Sequence, residues 1–149
     1  MVLVGAVPRR MRLYLVVAAV LLLPIQACSP ATSLPAGHPL NFTLVDFSIK
    51  GATTFAASGS FVINVHNASP VTHEFLIKKT DLPADSLPLG PDGVRVDEDA
   101  LDSITEISDV PAGTTGTIAI NLAPGNYVLF CNLEGHYLGG MHYSLDVTG

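Results

Sequence analysis

Residues 126–147 read NYVLFCNLEGHYLGGMHYSLDV. The opening NYVLFC is apolar on both faces of an extended chain, as in a strand that is covered on both sides. The closing MHYSLDV alternates, with Tyr143, Leu145 and Val147 on one side and His142, Ser144 and Asp146 on the other. That is the pattern of a strand covered on one side. Between the two lies a glycine-containing loop. It carries one of the two cysteines, and with the strand after it two of the five histidines and the one methionine beyond position 11. Sulfur and imidazole gathered in one loop point either to a soft metal or to chance, and the rest of the chain has to separate the two.

Upstream, the same strand-and-turn grammar repeats. TGTIAINL (115–122) places Ile118, Ile120 and Leu122 on one face, and Ala123-Pro124-Gly125 turns the chain. THEFLIKK (72–79) places His73, Phe75 and Ile77 on one face and Glu74, Leu76 and Lys78 on the other. SFVINVHN (60–67) turns Phe61, Ile63 and Val65 inward and His66 outward with Asn64, and Asn67-Ala68-Ser69-Pro70 is a turn. LNFTLVDFSI (40–49) is β-rich, but its alternation slips near Leu44-Val45, where a bulge is expected. Residues 80–113 form a long, acidic, proline-rich connection with room for a short helix or an edge strand. Short strands, frequent turns and no long helical period predict an all-β sandwich in a single domain, residues 40–149.

The start of the chain has a different character. Arg9, Arg10 and Arg12 precede a 12-residue apolar run, LYLVVAAVLLLP (13–24). A membrane-crossing helix needs about 20 residues, so residues 1–27 read as an export signal. Ala27-Cys28 closes it in the manner of a bacterial lipobox, which makes Cys28 a lipidated first residue. Ordinary cleavage nearby, leaving Cys28 free, is the alternative. Residues 28–39, small, polar and proline-rich, read as a tether containing His38. The protein is thus expected outside the cytoplasm, anchored to a membrane that faces the periplasm or the cell exterior. Without the three leader arginines, Lys50, Lys78, Lys79 and Arg95 stand against 13 acidic residues, which argues against nucleic acid as a partner. If Cys28 carries lipid, Cys131 has no partner within the chain. A free thiol in an oxidising compartment favours a metal.

A type 1 copper centre takes two imidazoles and a thiolate in a plane, with a weak thioether on the axis. His73, Cys131, His136 and Met141 supply such a set, three of them at the spacing Cys-x4-His-x4-Met. Gly135, Gly139 and Gly140 permit a tight loop around one ion. Singly, each residue has a plainer reading: a hydrogen-bonded core histidine, a buried thiol, a loop histidine, a core methionine. It is their joint occurrence at strand ends that favours copper. His66 is the substitute for His73, and His142 is expected to point away. The acidic run Asp97-Glu98-Asp99, with Asp92 and Asp102 near it, matches no calcium loop and reads as a solvated loop.

VTHEF together with NYVLFCNLEGHYLGGMHYSLDV resembles the cupredoxins, the blue copper proteins, over roughly residues 40–149. Among them it is most similar to small bacterial plastocyanin-, auracyanin- and sulfocyanin-like domains. The resemblance implies a Greek-key β-sandwich, one copper held by His73, Cys131, His136 and Met141, and single-electron transfer between Cu(I) and Cu(II). It implies redox partners such as cytochromes or a terminal oxidase. One departure is Glu74, which stands where many of the family have an asparagine tying the two ligand loops. Asn67, Thr72 or a backbone amide then has to do the tying. Cys131 is flanked by Phe130 and Asn132, with no histidine leading to a second copper, and position 135 is Gly rather than a second cysteine. The expectation is therefore a non-catalytic centre. The electron is expected to leave through His136, with Tyr137, Leu138, Gly139 and Gly140 as an apolar docking patch or merely as the closure of the loop. The competing functions are copper storage, delivery or sensing, and a metal-free binding module.

Overall fold

A computed structural model describes residues 37–149. The expected signal peptide (1–27), the lipidated Cys28 and the tether up to residue 36 lie outside the described residues. The remainder is built from strands β1 (His38–Val45), β2 (Ser48–Gly51), β3 (Phe55–Ala57), β4 (Gly59–Asn67), β5 (His73–Lys79), β6 (Asp102–Val110), β7 (Thr115–Leu122), β8 (Gly125–Phe130) and β9 (His142–Thr148). A 3-10 helix, Glu98–Ala100, precedes β6. One sheet has the order β2-β1-β4-β7 and the other β3-β9-β8-β5-β6, giving the all-β sandwich that the alternation predicts. β1 opens at His38, so the first strand takes in the last two residues of the expected tether.

Register aligns the inward side chains. Phe61 pairs with Ile120 and Ile63 with Ile118 between β4 and β7, while Leu40 and Phe42 of β1 pair with Ile63 and Val65 of β4. From the other sheet Phe75, Ile77, Leu129, Leu145 and Val147 complete the filling between the layers. Phe42 packs on Phe75 and edge-on against Tyr143, with ring centroids 5.4 and 5.5 Å apart. Each such side chain, fully buried, contributes about 1.5–3 kcal/mol.

The slip in alternation near Leu44-Val45 is a turn and not a bulge. Val45 pairs with Ser48 across Asp46-Phe47, so β1 and β2 form a two-residue hairpin. The alternation breaks because the chain reverses, and Ile49 returns to the same core as Leu44.

β8 is covered on both faces, as its composition requires. Tyr127, Leu129 and Cys131 face the main core. Val128 and Phe130 face a second, smaller core with Leu76, Leu87, Val96 and Tyr137. The cover is the long acidic connection, which folds down as a cap before running into β6 at the sheet edge. It also buries Lys78, whose ammonium pairs with the Glu98 carboxylate at 3.0 Å. A lysine removed from water needs such a partner. If the cap is a packed layer, Leu87→Ala is expected to cost about 2–3 kcal/mol in urea denaturation of the protein without added metal. A cost below about 0.5 kcal/mol would mean that the cap lies loosely on the sheet.

Candidate metal centre

His73 opens β5, directly after the turn that leaves β4. Asn67, fully buried at the end of β4, folds that turn. Its side-chain amide donates to the carbonyls of Val71 and Val110, each at 2.7 Å, and its carbonyl accepts the Ser69 N–H at 2.9 Å. The turn aims Ser69 at the histidine, with Oγ 2.7 Å from His73 Nε2. The Ser69 hydroxyl donates to the Val71 carbonyl at 3.1 Å, which leaves its lone pairs for an Nε2–H. That fixes the tautomer, and Nδ1 keeps its lone pair toward the interior.

Cys131 follows the last residue of β8 and is fully buried. Its N–H donates to the Met141 carbonyl at 3.1 Å, and the Met141 N–H donates to the His136 carbonyl at 3.1 Å. The eleven-residue loop from Cys131 to Met141 is thereby pinched shut at its base, with the Met141 side chain wholly buried. Gly135 and Gly140 have φ of 76° and 104°, conformations that favour glycine. Gly135 donates to the Val94 carbonyl at 3.1 Å, tying the loop to the cap. Next to the cysteine, Asn132 accepts the Val96 N–H at 2.7 Å and donates to Glu98 at 2.8 Å. A fixed frame therefore surrounds the sulfur.

Three donor atoms converge. Cys131 Sγ lies 3.3 Å from His136 Nδ1 and 3.8 Å from His73 Nδ1, and the two Nδ1 atoms are 3.2 Å apart. All three lie within 4.8 Å of one another, close enough to share one ion. Burial, together with the nearby His136, lowers the His73 pKa, with Asp46 opposing. Burial pushes the Cys131 thiol up, opposed by the backbone amides of Glu74 and Leu133. The imidazole is thus neutral and ready to bind at neutral pH, whereas the thiol needs a metal to displace its proton. Two nitrogens and a soft sulfur at this separation fit copper or zinc, and a buried methionine whose backbone bonds both Cys131 and His136 favours copper.

The tie between ligand loops that Asn supplies in other sequences is made here by a backbone amide, since the Glu74 N–H donates to Cys131 Sγ at 3.4 Å. Asn67 holds the histidine turn to β6 instead, by way of Val110. His66 is exposed and bonds Thr115, which removes it as a ligand. His142 packs against the Tyr137 ring, away from the three donors. Tyr137 itself needs correction: it is only 3 % exposed, accepts the Leu87 N–H at 2.8 Å and sits in the second core, so it is a staple and not a docking surface. Leu138, 54 % exposed, does face out. The acidic run is only partly a solvated loop: Asp92 caps its own turn through the Val94 and Arg95 amides, while Glu98 turns in to Lys78 and Asn132.

Sequence reasoning missed Ser69, Phe47 and Val71. Asp46, Phe47, Val71, His73 and His136 line a cleft of about 250 Å³ leading to the two imidazoles. Ser69, four residues before His73 in a turn, is a signal that could have been read. Phe47 carried no periodic signal, because it lies in the turn that breaks the alternation.

No family model and no curated protein sequence matches the chain. Solved structures do. Auracyanin from Roseiflexus castenholzii, in its dithionite-reduced form, is 20% identical, with a TM-score of 0.56 over 76% of this chain and 99% of that one. Auracyanin A from Chloroflexus aurantiacus, described as a blue copper protein, is 21% identical, with a TM-score of 0.52 over 74% and 99%. Rusticyanin from Thiobacillus ferrooxidans is 14% identical, with a TM-score of 0.54 over 76% and 79%. The fold is that of the cupredoxins.

Two outcomes follow from the site's polar support. Ser69→Ala, which frees the His73 tautomer, is expected to weaken Cu(II) affinity about 10–100-fold in a competition titration while the fold is kept. In the metal-free protein, the unfolded chain binds a proton at position 73 more readily than the folded one. Stability is therefore present above the ordinary imidazole value of about 6.5 and lost as pH falls below it. Denaturation at a series of pH values should show this slope, and His73→Phe should flatten it.

Proposed function

We propose that this protein binds one copper ion through His73 Nδ1, Cys131 Sγ and His136 Nδ1, with Met141 as the weak fourth ligand, and carries single electrons between redox partners outside the cytoplasm. The observation that carries the reading is the convergence of two imidazole nitrogens and one thiol within 4.8 Å in a buried frame. Bound copper supplies a one-electron couple. The residues supply what makes such a couple fast: ligands held by Ser69, the Glu74 amide and the loop's own hydrogen bonds, so that little has to move. The blue copper nature of auracyanin A, on the same fold, supports the reading.

His136 is the half-buried ligand and the route by which electrons enter and leave. Leu138, Gly139 and Gly140 lie beside it, and Phe47 and Val71, 54 % and 48 % exposed, take the place of Tyr137 in the apolar docking patch. Partners are redox proteins such as cytochromes or a terminal oxidase. The leader and Cys28 support an exported, lipid-anchored protein. No catalytic role is proposed, because Cys131 lacks the flanking histidine that leads to a second copper. Copper storage or delivery, the other reading, would call for a methionine- or histidine-rich surface, and beyond the leader Met141 is the one methionine.

Titration with Cu(II) should saturate at one equivalent and give an intense thiolate-to-copper band with narrow copper hyperfine splitting. Cys131→Ser should abolish the band, and reversible cycling should be seen by voltammetry. A weak, broad spectrum unaffected by that substitution would sink the electron-carrier reading.

A further inference from the structure

Phe47 occupies a costly position. Its φ of 56° is, among the described residues, the one positive value outside glycine, at a turn position that Asn, Asp or Gly fills best. More than half of its surface is also left in water. What the residue gains is contact with the ligand loop. Its ring meets His136 edge-on, with centroids 5.7 Å apart and planes at 70°. It also lies over Gly139, where a Cβ would collide with the ring. Gly139 is not in the left-handed region, so it is the space and not the backbone that demands glycine there. Its neighbour Gly140 abuts the Phe47 carbonyl, 3.3 Å from where a Cβ would stand.

The two histidines are held differently. His73 is fixed through its far nitrogen by Ser69. For the His136 side chain, the hydrogen bonds among the described residues fall on Nδ1, from the His73 and Cys131 side. Its ring is clasped between His73, with centroids 5.0 Å apart, and Phe47.

We propose that Phe47 is the positioning residue for His136: seated in the notch left by Gly139, it holds the imidazole with Nδ1 toward Cys131 and closes the outer wall of the cleft to water and small ligands. The strained turn is kept because it delivers that ring. This inference rests on the copper reading for its role, but not for the contact itself.

The test compares wild type, Phe47→Gly, Phe47→Tyr, Gly139→Ala and the double variant Phe47→Gly/Gly139→Ala. Glycine suits the φ at position 47, so the turn itself should fold, and Phe47→Asn serves as a second version. In the copper-loaded protein, azide is the probe. Wild type and Phe47→Tyr should keep their optical and EPR spectra at azide concentrations at least about tenfold above those that shift the thiolate band and widen the hyperfine splitting of Phe47→Gly. In the metal-free protein, Gly139→Ala should lower Tm by about 4 °C or more, because the added methyl meets the Phe47 ring. In the Phe47→Gly background the same change should leave Tm nearly unmoved. Spectra of Phe47→Gly that match wild type with and without azide would overturn the positioning role. An equal Tm loss from Gly139→Ala with or without Phe47 would overturn the contact. A wild type without the thiolate band would defeat the electron-carrier reading instead, and the Tm cycle would still decide whether Phe47 sits on the loop.

Discussion

A thiol and two imidazoles share one small space on this protein, all three needing free lone pairs, and the surrounding structure exists to make that tolerable. Burial acts against it. It raises the Cys131 pKa and lowers that of His73, so the polar atoms have to be directed rather than left to water. The direction comes mostly from the backbone and from small side chains. Ser69 takes the outer nitrogen of His73, the Glu74 amide points at the sulfur, and Asn67 locks the turn that presents both Ser69 and His73. None of these groups carries a full charge; the carboxylate at the cleft is that of Asp46, 3.9 Å from His73 Nε2 on the outer side.

The same constraint explains the cap. Cys131 extends β8, whose other face carries Val128 and Phe130. Had that face been open, water would lie one side chain away from the thiol. The 80–101 segment closes it with Leu87 and Val96, and reaches the ligand loop through Tyr137, Asn132 and the Gly135 amide. The Lys78–Glu98 pair sits inside this layer, with Glu98 also bonded to Asn132. One ion pair thus joins strand β5, which brings His73, to the residue next to Cys131.

The strands, the inward faces and the three side chains that converge were legible in the sequence because each rests on a local pattern: two-residue alternation, or a fixed spacing in one loop. Even the double cover of β8 could be read from NYVLFC. What supplied that cover could not. Residues 80–101 are acidic, rich in proline and without period, and such a segment looks solvated until it is known that Leu76 and Lys78 need covering too. Tyr137 was misassigned for the same reason. On a loop its neighbours are not periodic, and its partner, the Leu87 amide, lies in the segment that gave no signal. The hairpin at Asp46-Phe47 was hidden because a bulge and a two-residue turn both break alternation, and Phe is a poor turn residue.

That last mismatch carries physical information. A local choice that contradicts its own backbone is maintained only when something outside the turn depends on it. At Phe47 the outside partner is visible: a histidine ring and a glycine whose missing Cβ makes room. The ligand loop is therefore held at neighbouring positions by two different parts of the fold: Tyr137 inserts into the cap core, and Phe47 of the β1–β2 turn packs on His136. Neither grip involves a donor atom, and the partners on the far side, Leu87 and Val96 of the cap and Phe47 of the turn, are distant from the loop in the chain. A loop that chemistry requires to be tight, and glycine makes pliable, is given its rigidity by the fold around it.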